Sequence, residues 1–386
     1  MLLGQVISMA RAPIDGSTLK WARESINMER EELARAINVS AERIAELEEG
    51  EQPTFKQLLK LANKLDRSAA FFFAKPPEEH DVPETVDFRG KSDPEISSVL
   101  AKELRRVNQY RASFLELTSE WYTTKQLERV TWDNVEKRAS EFRQHLGLTE
   151  FFAPPTREPQ KVFNFWREAL EQAGYLIFQT TRINIKEFRG FSINHAKLPI
   201  IVVNGSDAPN GKAFTLFHEV CHIANRTSGL CILNERINEE ALANSFAANF
   251  LMPRPQVQQL EKRIREHTND HIAMSDLVAQ ECRVSTLAAG IRLRTLNYLN
   301  ESQLKEIWEE SDEKWKRNRD RLKSRPGGPP PWRTRMRDLG PAYVGTVAEA
   351  VDDGRVSLLD ATYLMNARLP TVSAMIEDYR HNEGRE

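Results

Sequence analysis

His218-Glu219-Val220-Cys221-His222 is the stretch that decides the fold of the largest part of this chain. It is an H-E-x-x-H string, in which the two histidines stand four residues apart. On a helix such positions share one face, with about 5–6 Å between their Cβ atoms. Two imidazoles placed in this way reach one zinc ion at about 2.1 Å. The glutamate between them points beside the metal, where it accepts a proton from water.

The alternative interpretation of this string is two surface histidines on a charged helix. The neighbours Phe217, Val220 and Ile223 are apolar, so the helix is predicted to be mostly buried. Buried polar groups without partners are costly, and metal ligation satisfies them. The sequence therefore favours a metal site over a solvated helix face.

A peptidase zinc needs a third protein ligand and one open position. The next predicted helix, about 235–250, offers Glu239 and Glu240, which both share a face with apolar residues. Either one also suits a solvated helix N-terminus, where the helix dipole favours carboxylates. Periodicity alone does not choose between the two glutamates.

Residues 170–255 resemble the ImmA/IrrE family of metallo-endopeptidases. The resemblance is carried by Gly190-Phe191-Ser192, a strand at 199–204, the F-T-x-x-H-E-x-x-H run from Phe214, and Glu240 followed by Ala243-Asn244 and Leu251-Met252-Pro253. It implies Glu240 as the third zinc ligand and Glu219 as the general base of peptide hydrolysis. Asn244 lies one turn after Glu240, and we expect it to contact one of the metal-binding side chains and not the metal itself.

Three points within this resemblance stay open. Cys221 stands where the family often has glycine, and a thiolate there would close the site, but its position three residues past His218 points it away from the histidine pair. Ile200–Asn204 is either an edge strand that pairs with an extended substrate or a plain core strand. His195 and Arg226 are candidates to stabilise the oxyanion only because they are near in sequence.

Residues 17–75 resemble the XRE/Cro family of helix-turn-helix domains, through Glu32-Leu33-Ala34, Val39-Ser40, Ile44 and Leu47-Glu48-Glu49-Gly50. The recognition helix implied by the family is 41–49. Over 41–51, Arg43 is the single basic residue against five glutamates, which is poor for phosphate binding. The segment is predicted either to bind DNA or to dock a partner protein, with Arg43 as a candidate contact residue.

Residues 314–337 are strongly basic, with two interleaved tryptophans. The candidates for contact with DNA or an acidic partner are Lys316, Arg317, Arg319 and Arg321. The alternative is a solvated helix end followed by a linker.

The bulk composition is that of an ordinary soluble protein. The chain has 386 residues and a formal net charge of −2, so any recognition of polyanions must be local. Its cysteines, Cys221, Cys231 and Cys282, do not form a disulfide framework and suit a reducing compartment. No stretch reaches the ~18 apolar residues of a membrane span. We expect a cytoplasmic protein without membrane contact.

The predicted fold is mainly α with a small β-sheet (α+β), a helix-turn-helix bundle followed by a zincin-like peptidase domain. The predicted segments are a tail (1–16), the helix-turn-helix (17–75), a linker with connecting helices (76–150), the peptidase core (151–255), a helical extension (256–325), a Pro/Gly linker (326–340) and a small helical segment (341–386).

The leading functional hypothesis is a zinc endopeptidase that cleaves a repressor or antitoxin, with possible DNA binding through 17–75 or 314–337 and a possible homodimer. The rival hypothesis is a non-enzymatic helix-turn-helix regulator or antitoxin whose peptidase-like domain senses or binds a partner. Intact His218, Glu219, His222 and Glu240 favour the enzyme, because a sensor has no need of Glu219.

Overall fold

The structure is a computed structural model that describes residues 11–78, 97–118, 124, 127–226, 237–323 and 328–383, with backbone only at 237, 315–323 and 382–383. The chain divides into two compact units, Met1–Gln109 and Tyr110–Glu386. Both are dominated by helices, with one small sheet in the second unit, so the predicted fold class is confirmed. Within the described residues, no helix combines the length and apolarity needed to cross a bilayer.

The first unit contains a helix-turn-helix. Ser40 caps the N-terminus of its second helix by accepting a hydrogen bond from the Arg43 amide at 3.2 Å. Asn38 ends the preceding helix in the left-handed conformation, with φ 60°. The helices are α1 Gly16–Glu24, α2 Arg30–Ile37, α3 Ala41–Glu48, α4 Phe55–Leu65, a 3₁₀ turn Ala69–Phe73, and α5 Ser98–Leu117, which extends into the second unit.

The prediction of a loose tail over 1–16 is wrong for its described part. The Ala12 amide donates to the carbonyl of Pro53 at 2.9 Å, and Arg11 forms a bridge with Thr54. Ile14 is buried, and Gly16 already begins α1. This short segment packs on the helical module because its apolar side chains have a core to enter. Residues 1–10 lie outside the described part of the chain.

The second unit holds the remaining elements. They are α6 Val135–His145, α7 Pro159–Gln172, β1 Leu176–Thr180, β2 Gly190–Ile193, β3 Ile200–Asn204, α8 Pro209–Asn225, α9 Ile237–Leu251, α10 Arg254–Arg265, α11 His271–Cys282, α12 Thr286–Thr295, α13 Glu301–Lys323, α14 Pro331–Leu339, α15 Pro341–Asp352, α16 Leu358–Leu364 and α17 Leu369–Glu383.

The sheet has the strand order β1-β3-β2. β3 pairs in parallel with β1, where Leu176 lies opposite Ile200, and antiparallel with β2, where Gly190 lies opposite Val203. β3 is therefore the central strand, and the idea of Ile200–Asn204 as a substrate-pairing edge is wrong. All five of its residues are buried, which suits a strand with neighbours on both sides.

One hydrophobic core runs through the second unit and is wider than the predicted 151–255. It takes Phe142 from α6 and Val278 and Leu293 from α11 and α12, together with the buried faces of α8 and α9. Arg143 is 1 % exposed within this region. Its guanidinium donates to the carbonyls of Phe250 at 2.6 Å, Thr149 at 2.8 Å and Phe152 at 2.7 Å, so it holds the C-terminal end of α9.

The predicted linker over 326–340 is wrong in its second half, where α14 forms. Prolines at 329–331 suggested a break, but Pro331 is the first residue of α14, a position that favours proline. The α14 helix packs on β1, and its Arg337 carbonyl accepts hydrogen bonds from Arg167 at 2.7 Å and Gln179 at 3.1 Å. The last three helices follow directly, so α14 joins the C-terminal segment to the rest of the second unit.

Candidate metal centre

Helix α8 carries both histidines of the H-E-x-x-H string. Pro209 starts the helix, and Arg226 ends it in the left-handed conformation, with φ 55°. The Asn225 side chain fixes its last turn by accepting from the Val130 amide at 2.7 Å and donating to the Val130 carbonyl at 3.1 Å. Residues 215–223 are all buried, so this helix is an interior element that presents its polar side chains to a fixed place.

Three side chains from α8 and α9 meet at one point. The Nε2 atoms of His218 and His222 are 3.0 Å apart. Each of them also faces a Glu240 carboxylate oxygen, at 3.2 Å for His218 and 3.3 Å for His222. His218, His222 and Glu240 are thus a group of potential metal ligands whose atoms all lie within 4.8 Å of one another.

These separations suit a zinc ion. Ligand atoms at 2.0–2.1 Å from a tetrahedral centre stand about 3.3 Å apart, and the three separations above lie close to that figure. The donor set of two imidazole nitrogens and one carboxylate is one that zinc prefers in catalytic sites. The Glu240 side chain is 33 % exposed, whereas both histidines are buried, so the group opens to solvent on the Glu240 side.

Asn244 fixes the protonation of His218. Its Oδ1 lies 3.0 Å from His218 Nδ1, and a carbonyl-type oxygen can only accept, so Nδ1 carries the proton. The lone pair of Nε2 is then directed at the Glu240 side of the site, as a metal ligand requires. This is the supporting contact that the resemblance implied for Asn244.

The electrostatics of the group without metal follow from its packing. Burial opposes a charged imidazole, but the hydrogen bond that His218 donates to Glu240 and the charges of Glu219 and Glu240 outweigh it and raise the pKa of His218. Burial likewise opposes a charged Glu240, but hydrogen bonds from the two histidines hold its pKa well below the usual range. The site therefore keeps a carboxylate ready for a cation.

Cys221 does not join the group. It is 1 % exposed and belongs to the hydrophobic core. Burial, with the nearby charges of Glu219 and Glu240, raises the pKa of its thiol to about 12. The group of potential ligands consists of His218, His222 and Glu240, and Cys221 is not in it.

Gly190 gives the Glu219 carboxylate its place. A Cβ added to Gly190 would stand 2.4 Å from Thr215 Cγ2, 3.1 Å from Glu219 Oε1 and 3.1 Å from the Val202 carbonyl. Glu219 is 0 % exposed, so the first residue of β2 and the helix α8 enclose its side chain between them. The family motif included Gly190, but no sequence signal indicated that the missing side chain makes room for Glu219.

The other candidates are placed elsewhere. Glu239 is half-buried at the start of α9 and is not part of the ligand group. His195 follows β2, where burial and the charge of Arg111 lower its pKa to about 4, so its ring is neutral at ordinary pH. Arg226 is exposed at the end of α8. An oxyanion role for His195 or Arg226 stays a prediction.

The predicted recognition helix is α3, and its exposed surface is acidic. Arg43 donates to Glu46 at 2.7 Å and to the Gln52 carbonyl at 3.2 Å, so its charge is engaged within the module. Glu48 points inward instead, where it receives hydrogen bonds from Arg23 at 2.6 Å and Arg30 at 2.8 Å. A surface of this composition attracts phosphates poorly.

The basic stretch is partly used inside the protein. Arg335 donates to the Met365 carbonyl at 2.8 Å, and Lys314 pairs with Glu310 at 2.7 Å. The side chains of the four other candidates lie outside the described residues: Lys316, Arg317, Arg319 and Arg321. Their backbone belongs to α13, and their contact with DNA or a partner stays a prediction.

Comparison with known families supports the two-part architecture. Residues 170–294 match the family Peptidase_M78, described as the IrrE N-terminal-like domain. Residues 19–72 match a helix-turn-helix family. The order and position of these matches confirm the predicted resemblance on both counts. No curated protein and no solved structure matches the chain.

Proposed function

We propose that this protein is a zinc-dependent endopeptidase. The premise is that an IrrE-like metallopeptidase domain follows a helix-turn-helix module in the chain. The observation that carries the proposal is the group of His218, His222 and Glu240 beside the buried Glu219. We further propose that the substrate is a regulatory protein of the repressor or antitoxin type and that the setting is the cytoplasm.

The residues divide the chemistry among them. Zinc bound at this site would polarise the scissile carbonyl and make a water molecule more acidic. Glu219 accepts the proton of the attacking water and passes it to the leaving amine, because its carboxylate follows the ligand His218 directly in α8. Asn244 keeps His218 in the tautomer that leaves Nε2 without a proton.

The edge strand β2 supports binding of an extended substrate. Among the described residues β2 pairs with β3 alone, so no other strand of that part of the chain occupies its outer edge. Gly190 at the start of β2 lies against the Glu219 carboxylate. A substrate strand added along β2 would therefore carry its backbone past the catalytic glutamate. This assigns to β2 the role that the sequence suggested for Ile200–Asn204.

The rival, a non-enzymatic regulator, is opposed by Glu219. Glu219 is completely buried beside the ligand group, and burial of a carboxylate costs free energy that metal binding by the three ligands does not require. Three metal ligands alone would suffice for a sensor. An intact base beside an open ligand group is therefore better explained by hydrolysis.

The proposal is tested in two stages. Elemental analysis should find one zinc per chain in the wild type, little in Glu240→Ala, and the full amount in the neighbouring control Glu239→Ala. Incubation with the products of neighbouring genes should then reveal a cleaved protein. Glu219→Gln should keep its zinc and lose cleavage by about 10²–10⁴-fold, since an amide cannot accept the proton. Wild-type cleavage by Glu219→Gln would refute the mechanism.

A further inference from the structure

The helix-turn-helix in the first unit has a characteristic spacing around its turn. Asn38 is left-handed, with φ 60°, and α3 begins three residues later. Four buried apolar residues surround this turn in the sequence. Leu33 and Ile37 lie five residues and one residue before Asn38, and Ile44 and Leu47 lie six and nine residues after it.

The C-terminal helices repeat this spacing around Asn366. This residue is also left-handed, with φ 44°, and α17 also begins three residues later. The same four positions are again buried and apolar. Ala361 and Met365 lie five residues and one residue before Asn366, and Val372 and Met375 lie six and nine residues after it. Segment 358–383 therefore has the same helix, turn and helix arrangement as α2 and α3.

The helix that precedes each pair agrees as well. In the first module, Leu19 and Ala22 lie nineteen and sixteen residues before Asn38. In the C-terminal module, Val347 and Ala350 lie at the same distances before Asn366. All four residues are fully buried. In both cases the first helix packs on the third. Residues 341–383 are thus a second three-helix module of the helix-turn-helix type.

Four large apolar side chains of this C-terminal module are exposed. Leu358, Leu359, Tyr363 and Leu369 are 38 %, 62 %, 77 % and 47 % exposed and lie on α16 and at the start of α17. In a helix-turn-helix this face, made by the second helix and the start of the third, is the one that meets DNA. Apolar patches of a few hundred Å² on a protein surface mark binding sites.

The equivalent positions in the first module are different. They are occupied by Arg30, Glu31, Arg35 and Ala41, three charged side chains and one small one. The two modules therefore share buried positions but not the exposed face. The exposed apolar side chains are therefore specific to the C-terminal module and do not follow from the helix-turn-helix arrangement itself.

The charge of the C-terminal module selects the partner. Residues 341–383 contain seven acidic side chains, no lysine and three arginines. Two of those arginines are paired within the module, Arg355 with Asp353 and Arg380 with Asp352. Such a surface repels phosphates, and two copies of it repel each other.

We propose that the C-terminal module binds a protein segment whose apolar side chains are flanked by lysine or arginine, such as a basic amphipathic helix. The apolar side chains pack on Leu359 and Tyr363, and the basic flanks face the carboxylates of the module. This binding does not depend on the peptidase activity.

The test uses the full-length chain with Glu219→Gln, so that binding is measured without cleavage. The probe is a dye-labelled amphipathic helical peptide of leucine and lysine, about 18 residues or five turns long, followed by fluorescence anisotropy. Leu359→Ser/Tyr363→Ser should weaken binding by at least about tenfold. Trp308→Ser removes a side chain that is 53 % exposed on α13, outside the module, and should leave binding unchanged.

Two further peptides test the chemistry of the partner. A leucine and glutamate peptide, and a serine and lysine peptide, should each bind at least about tenfold more weakly than the leucine and lysine peptide. Thermal unfolding should be the same in all variants, because the changed side chains are mostly exposed.

Three results would overturn the proposal. The first is equal binding of the leucine and lysine peptide by wild type and by Leu359→Ser/Tyr363→Ser. The second is binding of duplex DNA that this double variant loses, which would make the module a DNA reader. The third is a wild-type dimer in sedimentation velocity that the same variant converts to monomer, which would make a second copy the occupant.

Discussion

Replacement of Gly190 by alanine should disturb Glu219, the proposed general base, without removing the proposed zinc. The added Cβ would stand 2.4 Å from Thr215 Cγ2, whereas carbon atoms in contact are about 3.5–4.0 Å apart. More than about 1 Å of movement is needed, and the Val202 carbonyl at 3.1 Å limits retreat of the strand. Overpacking of this kind costs about 1–3 kcal/mol.

The same movement reaches Glu219, whose Oε1 would be 3.1 Å from the new carbon. A shift of about 1 Å in a catalytic group lowers the rate by about 10²-fold. We expect Gly190→Ala to keep one zinc per chain, because the three atoms nearest to the added carbon belong to Thr215, Glu219 and Val202 and to none of the metal ligands. Urea denaturation, zinc analysis and cleavage of the cognate substrate measure the three effects.

Two variants sharpen this experiment. Gly328→Ala is the matched control, because a Cβ there meets nothing within 4 Å. Thr215→Ser removes the clashing methyl and retains the hydroxyl that donates to the Gly211 carbonyl at 3.0 Å. Combined with Gly190→Ala it should restore most of the stability. The reasoning fails if Gly190→Ala alone is as stable and as active as the wild type, or if it loses its zinc.

Three other expectations follow from the site and the modules. Cys221→Ala should retain a full equivalent of zinc, and a loss of metal would make the thiol a ligand after all. In the metal-free protein the raised pKa of His218 contributes to the free energy of unfolding. This contribution is complete below about pH 6.5 and disappears as the pH rises through the raised pKa. Urea titrations at several pH values should show this dependence, and Glu240→Gln should flatten it. Segment 17–75 should bind DNA only weakly at ~150 mM salt, and nanomolar, sequence-specific binding in an anisotropy titration would contradict the acidic surface of its recognition helix.

The parts of the fold that the sequence predicted are those with local signals. The left-handed Asn38, the cap at Ser40 and the apolar run around His218 each act within a few residues, and each is visible as a pattern. The strand order is not local. Ile200–Asn204 was recognisable as a strand, but its central place depends on pairing with Leu176–Thr180 on one side and Gly190–Ile193 on the other.

The C-terminal module was visible only as a helical segment. Its buried positions match those of the first module in spacing but not in residue type, since Ala361 stands for Leu33 and Met375 for Leu47. A search for repeated letters does not find such a likeness. The role of Gly190 was hidden for a related reason, because the space that it leaves is used by Glu219, far away in sequence.

The Arg143 guanidinium limits how short a fragment that contains the candidate metal centre can be. It binds the Phe250 carbonyl from 107 positions upstream, and Phe142 beside it enters the same core as α9. A fragment cut at the start of the family match, residue 170, would lack both and would leave the end of α9 without its partner. Useful fragments for crystallisation or assay should therefore begin well before α6, no later than Tyr110, where the second unit starts.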